Sequence, residues 1–246
     1  MRTSVAIQQP NFLLRLSTLA KIASADVWVS LDNVQFCQRD YQHRAALAAV
    51  DAPERRTWLS LPVHRPDGRA TRLDHVRLVD PERTGRRIDA LLAAYYRTSP
   101  HYPVIADISA ALRGVLATTD SLVDVAEEST RLLLDLLGWS ATITRSSEHT
   151  ARSDRTGRLL DLTAAVSGTR YLCGSAGASY LDRAQFFSAG ITVRQVEPPP
   201  EPHGIRAIWS CAHRVSTMWA LARLGPGGLR GEVARFVDHQ HVDCPQ

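Results

Sequence analysis

The sequence predicts an α/β protein: a mostly parallel sheet flanked by helices, with a helical middle segment and a helical C-terminus. Three observations predict it. Short β-branched runs alternate with longer stretches of helical apolar spacing near both ends, residues 80–140 are helical in pattern almost throughout, and helical spacing returns beyond residue 208. The chain has 246 residues, 44% of them hydrophobic, and reads as a single α/β domain over 1–246 with 80–140 as a largely helical subregion.

The elements follow in order. Ser4 to Gln8 (SVAIQ) reads as a buried strand, ended by Pro10, which has no N–H to give a ladder. Phe12 to Ala25 carries apolar residues at positions 12, 13, 16, 19, 20, 22 and 23, the spacing of a helix. Val27 to Leu31 (VWVSL) is a second strand, stopped by Asp32 and Asn33. A strand, helix, strand crossover places the loops after its strands on one carboxyl edge of the sheet, where open α/β folds bind ligands. Gln8, Gln9, Asn11, Asp32, Asn33 and Gln35 are therefore expected at that edge.

Further strands are expected at Thr57 to Val63 and in the region of Thr71 to Leu78. Helices are expected at Glu82 to Tyr95, Val104 to Leu116 and Ser121 to Leu137, the last stopped by Gly138. Alternation then resumes with a strand at Ala141 to Thr144, a polar loop at Ser146 to Asp154, a helix at Gly157 to Val166 and a strand at Arg170 to Cys173. A small-residue loop, Gly174 to Ala178, leads to a helix through Phe187 and a strand at Ile191 to Val196. Glu197 to Gly204 (EPPPEPHG) is a loop or extended linker. Helices at Ile208 to Leu224 and Leu229 to Val237, separated by Gly225-Pro226-Gly227-Gly228, close the chain.

Composition excludes several classes of function. No run approaches the ~20 apolar residues of a membrane helix, so no membrane partner is expected, and MRTSVAIQQP lacks the layout of a secretory signal, which makes the cytoplasm the expected location. Cys37, Cys173, Cys211 and Cys244 are widely spaced, without the pattern of a disulfide framework or a cysteine zinc site. The formal charge of +4 comes from 29 basic and 25 acidic residues, with Lys21 the sole lysine. These charges are interspersed, so the sequence carries no clear nucleic-acid signal, while the basic balance permits an anionic ligand.

Two clusters carry candidate chemistry. The first joins Gln8-Gln9-Pro10-Asn11, Asp32-Asn33-Val34-Gln35 and Tyr41-Gln42-His43-Arg44: amides, a carboxylate and a guanidinium that fix a polar ligand by hydrogen bonds. Asn11 and Asp32 are equally suited to capping the adjacent helix and turn. The second is Tyr171 to Leu181 (YLCGSAGASYL), in which Gly174, Ser175 and Gly177 let backbone N–H groups approach an anion or simply allow a tight turn. Cys173 before this loop reads as a buried strand residue rather than a nucleophile served by His43, His203 or His213. His239, His241, Asp243 and Cys244 read as a solvated tail rather than a metal site. The nucleotide-binding glycine motifs, H-E-x-x-H and G-x-S-x-G are absent, and no cofactor is identified.

Taken together, IQQPNFLLRLSTLAKIASADVWVSLDNVQF, YQHRAAL, WLSLPV, LLAAYYRTSPHY, SDRTGRLLDL and YLCGSAGASYLDRAQFFSAGI resemble, in order, the motifs of the WbqC-like protein family over nearly the whole chain. Three departures stand out. Gln8 occupies a position where the family commonly has His, EPPPEPHG replaces a His-Pro-x-Tyr segment, and the family's Leu-Ser-x-x-Asp pattern becomes Val215-Ser216-Thr217-Met218-Trp219, without the acid.

The resemblance implies a role in polysaccharide or specialised-metabolite assembly. The leading expectation is an acyl or aminoacyl transferase that forms an amide on an amino-sugar-like amine, using a small-molecule substrate and an activated or carrier-bound acyl donor. Asp32 and Gln9 are its candidate catalytic residues, Asp32 orienting the ammonium or accepting its proton and Gln9 positioning the acyl carbonyl. Substrate contacts are assigned to Gln8, Asn11, Asn33, Gln35, Gln42, Arg44, Gly174, Ser175, Gly177 and Tyr180, with no metal. The alternatives are an ATP-dependent, adenylate-forming enzyme of nucleotidyltransferase-like fold, against which the missing His-x-Gly-His pattern argues, and a sugar- or metabolite-binding accessory protein, which the lost His and Asp positions favour. Oligomeric state is left open.

Overall fold

The computed structural model describes residues 2–179, 181–198 and 208–242. Its centre is a five-stranded parallel sheet built from β1 (Ser4–Gln8), β2 (Val27–Ser30), β7 (Thr142–Arg145), β8 (Arg170–Cys173) and β9 (Thr192–Gln195), in the order β7-β2-β1-β8-β9. Val5 pairs with Val27 and with Tyr171, so β1 is the central strand, hydrogen-bonded on both sides. The runs SVAIQ and VWVS are apolar on both faces because both faces are covered. Ala6, Trp28 and Leu172 join the larger core beneath α1 (Leu16–Ala23), while Val5, Ile7, Val29, Tyr171 and Cys173 face a smaller core with Leu159, Leu162 and Phe186.

The chain between β2 and β7 holds a two-stranded antiparallel hairpin, β3 (Arg44–Ala49) with β4 (Ala52–Ser60), a minor pairing of β5 (Val63–His64) with β6 (Arg77–Leu78), and the helices α2 (Pro81–Tyr96), α3 (Tyr102–Leu116) and α4 (Leu122–Leu137). The remaining elements are α5 (Arg155–Ala165), α6 (Ser175–Ala178), α7 (Arg183–Ser188), α8 (Ile208–Cys211) and α9 (Thr217–Val242). The predicted helical middle and helical C-terminus are both present. The start of α2 follows from Asp80, whose side chain accepts from Arg83 N ahead of Pro81; the end of α4 follows from Gly138, left-handed at φ 72°.

Four local expectations are corrected. Besides these, RAALAA, for which no element was expected, forms β3 although alanine disfavours strands, because it pairs with β4 and four of its six residues are buried. The strand expected from Thr57 starts at Ala52 instead, and Thr71 to Leu78 contains only the two-residue β6. The helix expected from Phe12 starts at Leu16, because Leu13 is left-handed at φ 42°. This turn is held by other elements: Leu13 N donates to Ser129 Oγ, and Ser216 Oγ and Thr217 Oγ1 donate to the carbonyls of Leu13 and Leu14. Finally, the segment 208–224 is divided, with α8 ending at Cys211 and α9 beginning at Thr217.

Helix α9 bends sharply at Gly225 (φ 70°, ψ 176°), the residue before Pro226. A Cβ at Gly225 would lie 2.6 Å from the ring of His101. Gly225→Ala is therefore expected to lower stability by about 1–3 kcal/mol, from the left-handed backbone and the clash together, with urea denaturation as the check. An unchanged midpoint would contradict the required bend.

Candidate functional site

Counted from β1, the sheet grows to β2 and β7 on one side and to β8 and β9 on the other. At such a reversal the loops leaving adjacent parallel strands diverge and open a crevice at the carboxyl edge. Here a cavity of about 600 Å³ occupies that place. Leu159, Tyr171, Val196, Trp209 and Phe236 form its apolar wall; Gln8, Gln9, Asn11, Arg15, Lys21, Asp40 and His213 supply polar groups, and Gly174, Ser175 and Gly177 line it from the loop after β8. Trp209 and Phe236 stack at 5.1 Å, which joins α8 to α9 at this wall. An apolar body with a few convergent polar groups is the usual character of a small-molecule site.

Lys21 lies in α1 with only 8% of its surface exposed. Its Nζ donates to Ile7 O at 3.2 Å and to Gln8 Oε1 at 2.7 Å, so the end of β1 anchors the ammonium. Burial lowers its pKa to about 8, and the guanidinium of Arg15 adds to that fall while Cys173 opposes it. An ammonium has three donors; two have these acceptors in the protein, and the side chain lines the cavity.

Gln9 is oriented from behind. Gln42 Nε2 donates to Gln9 Oε1 at 2.9 Å, and Gln42 Oε1 in turn accepts from Cys37 N. This leaves the Gln9 amide nitrogen as the donor available toward the cavity. Asn11 is 3% exposed, and its Oδ1 has no hydrogen-bond partner. A buried acceptor without a donor costs about 1–3 kcal/mol, and rotation about the Asn11 Cβ–Cγ bond would turn it to a donor on a bound molecule. The guanidinium of Arg15 donates from Nη1 to His213 O at 3.0 Å and lies 4.0 Å over the Tyr41 ring, while its Nε is buried and unpartnered.

Asp32 and Asn33 belong to a neighbouring polar cluster at the ends of β2 and β7, outside the cavity wall. Asp32 is 2% exposed; its carboxylate accepts from Ser146 Oγ (2.8 Å), Ser147 N (2.9 Å) and Ser147 Oγ (2.6 Å). Ser146 Oγ also contacts Asn33 Oδ1 at 2.8 Å. Beside them Arg145 bridges Glu127 and Asp124, Ser30 Oγ donates to Glu127, and burial pushes the Glu127 carboxyl upward.

The structure thus brings Gln8, Gln9, Asn11, Gly174, Ser175 and Gly177 to one cavity, with Gln42 directly behind them. Gln35 lies elsewhere, donating to Arg69 O, and Arg44 packs at 4.1 Å over Trp58. Tyr180 lies outside the described residues. The residues 174–178 are mostly a single helical turn rather than an open loop. Cys173 is buried in the smaller core, and burial raises its thiol pKa. His43 is also buried, against Phe36, and is lowered to about 4, first by burial and then by Arg44 and Arg65. Asp243 and Cys244 lie outside the described residues, among which no group of three His, Cys, Asp or Glu is placed to hold a metal ion. No helix among the described residues is long and apolar enough to cross a membrane.

Sequence reasoning missed Arg15, Lys21, His213, Trp209 and Phe236 as cavity residues. The one available signal was Lys21, the sole lysine of the chain and set among apolar neighbours in LSTLAKIA.

Comparison with known proteins identifies the family. The profile of the WbqC-like protein family matches residues 9–203, a span that includes both cavity-forming loops. An uncharacterized protein of Mycobacterium tuberculosis, Rv1507c, is 24% identical over 192 residues, covering 77% of this chain and 80% of that protein. No solved structure matches the chain.

Proposed function

The chain belongs to the WbqC-like protein family, and we propose that it transfers an acyl or aminoacyl group to an amine-bearing, amino-sugar-like acceptor, forming an amide in polysaccharide or specialised-metabolite assembly. The observation that carries this reading is the Lys21 ammonium, anchored by Ile7 and Gln8 with one donor left over in the wall of a cavity of mixed apolar and polar lining.

Acyl transfer places negative charge on the former carbonyl oxygen. A fixed cationic donor in a site with little water stabilises that charge more than bulk water does. In this reading Lys21 Nζ donates to the acyl oxygen, helped by the Gln9 amide that Gln42 holds in place. Asn11 Oδ1 accepts from the acceptor's N–H, and Arg15 binds an anionic part of the donor. The acceptor nitrogen forms the new C–N bond, the bond from the acyl carbon to its leaving group breaks, and the proton lost by nitrogen departs with that group. Asp32, fully engaged with Ser146 and Ser147, acts as a positioning residue for the carboxyl edge.

Mass spectrometry of reactions containing a panel of amino sugars and acyl or aminoacyl thioesters and adenylates tests this reading. The expected result is an N-acylated product that depends on the protein. Release of pyrophosphate from ATP and a free acid would instead identify an adenylate-forming enzyme. Sugar binding without amide formation from any donor would identify an accessory protein.

A further inference from the structure

Lys21 is held in a way that its role as a cationic donor does not require. The side chain is almost wholly buried, and buried ammonium groups are normally paired with a carboxylate. Among the described residues no carboxylate lies within 4.0 Å of Lys21 Nζ, although Asp40 lines the same cavity. Its partners are two neutral oxygens, the Ile7 carbonyl at 3.2 Å and Gln8 Oε1 at 2.7 Å. Ile7, Gln8 and Lys21 all line the cavity, so the nitrogen is fixed at the wall by the residues that end β1.

A neutral amine has two N–H donors and one lone pair. Two oxygens that can only accept take both donors, so the remaining tetrahedral position, turned away from Ile7 and Gln8, holds the lone pair. Burial favours this neutral form and lowers the pKa to about 8, Arg15 adding to the fall and Cys173 opposing it. Near neutral pH about a tenth of the molecules therefore carry a free amine. An amine desolvated in this way is an activated nucleophile. Two more groups of the wall suit what its attack on a carbonyl forms, a carbinolamine, whose hydroxyl both gives and takes hydrogen bonds. Asn11 Oδ1, buried without a partner, is an acceptor, and the Gln9 amide nitrogen, steadied through Gln42, is a donor.

We propose that the Lys21 amine forms an imine with an aldehyde or ketone bound in the cavity, the apolar body of that compound lying against Leu159, Tyr171 and Phe236. The lone pair attacks the carbonyl carbon, forming the C–N bond, while the carbonyl π pair moves to oxygen. A proton passes from nitrogen to that oxygen, which gives the carbinolamine. The C–O bond then breaks as the second proton leaves nitrogen, releasing one water and leaving C=N. The step needs no oxidant or reductant, and water reverses it. Such an imine holds the carbonyl compound in place and acidifies the C–H beside the C=N. Imine formation is independent of acyl transfer, which uses the same nitrogen protonated.

Reductive trapping of the full chain tests the site. Phenylacetaldehyde or phenylpyruvate is added with sodium cyanoborohydride at neutral pH, where hydride reduces an imine to a stable secondary amine, and peptide mass spectrometry locates the modified residue. Lys21 is the sole lysine of the chain, so its label is unambiguous beside that of the α-amino group. Lys21 should be trapped about tenfold faster or more in the folded chain than in the chain unfolded in guanidinium chloride, where its pKa returns to 10.5. A lysine buried for packing alone behaves in the opposite way, shielded until the chain unfolds. Gln8→Glu should slow trapping by about tenfold or more, because a carboxylate beside Nζ holds it as the ammonium.

Trapping of Lys21 that is slower in the folded than in the unfolded chain, or equally fast, would overturn the imine, as would undiminished trapping in a folded Gln8→Glu chain. The comparison on the native sequence decides the matter even where Gln8→Glu does not fold. The two readings fail separately. Trapping at Lys21 without amide formation from any donor sustains the imine and overturns transfer; amide formation by a chain whose Lys21 resists trapping overturns the imine and leaves transfer standing.

Discussion

Replacing Lys21 by methionine should reduce amide formation at neutral pH by about a hundredfold or more, the usual consequence of removing one donor aimed at a developing oxyanion. The same substitution should change how stability depends on pH. In the native protein the Lys21 pKa falls from 10.5 to about 8 through burial, a difference worth about 3 kcal/mol. Below about 8 both the folded and the unfolded chain hold the proton, and the penalty for burying the charge is fully present. Between 8 and 10.5 the unfolded chain retains the proton that the folded chain releases, so stability rises with pH across that window.

Lys21→Met should therefore remove this rise. The difference between the urea-denaturation profiles of the two proteins isolates Lys21 from every other titrating group. Under the proposed transfer, activity of the native protein should decline above about pH 8, as the Lys21 ammonium is lost. Undiminished turnover in Lys21→Met would remove the residue from the mechanism, and parallel stability profiles would contradict its burial as a cation.

Asp32→Ala should destabilise the fold by about 3 kcal/mol or more, because Ser146 Oγ, Ser147 N and Ser147 Oγ lose their shared acceptor in a buried setting. Asp32→Asn should cost less, since its amide oxygen still accepts while its NH2 faces a donor. Turnover per folded molecule in Asp32→Asn should stay within a few-fold of the native value, consistent with positioning. An Asp32→Asn protein of native stability with no turnover would instead make this carboxylate the proton acceptor that its place in the sequence suggested.

The parallel sheet was legible because its strands are short apolar runs bounded by turn residues, and burial on both faces leaves little else for SVAIQ or VWVS to form. The hairpin was not. RAALAA has neither β-branched residues nor alternation, and it becomes a strand through pairing with Ala52–Ser60, beyond the reach of local propensity. At the cavity, Gln8, Gln9 and Asn11 could be found because they end or follow β1, and Gly174 to Gly177 because they follow β8. Asp32 follows a strand in the same way, yet its carboxylate is turned to Ser146 and Ser147, residues 114 and 115 positions away. No local pattern distinguishes those two outcomes.

Positions 8 and 219 show the same division. Trp219 is buried, and its indole N–H donates to Ala49 O and Val50 O, which seats the β3–β4 hairpin on α9. Gln8 supplies the acceptor that holds Lys21. The sequence by itself determined the α/β class, the carboxyl edge at which the candidate cavity lies, and the family, because all three are carried by contiguous motifs and short-range periodicity. Only the tertiary structure decided which polar residues share a cavity and that Arg15, Tyr41, Trp58 and Arg44 form one stack. Those contacts join segments separated by many residues, and side-chain direction at a loop is set by the packing of its distant neighbours.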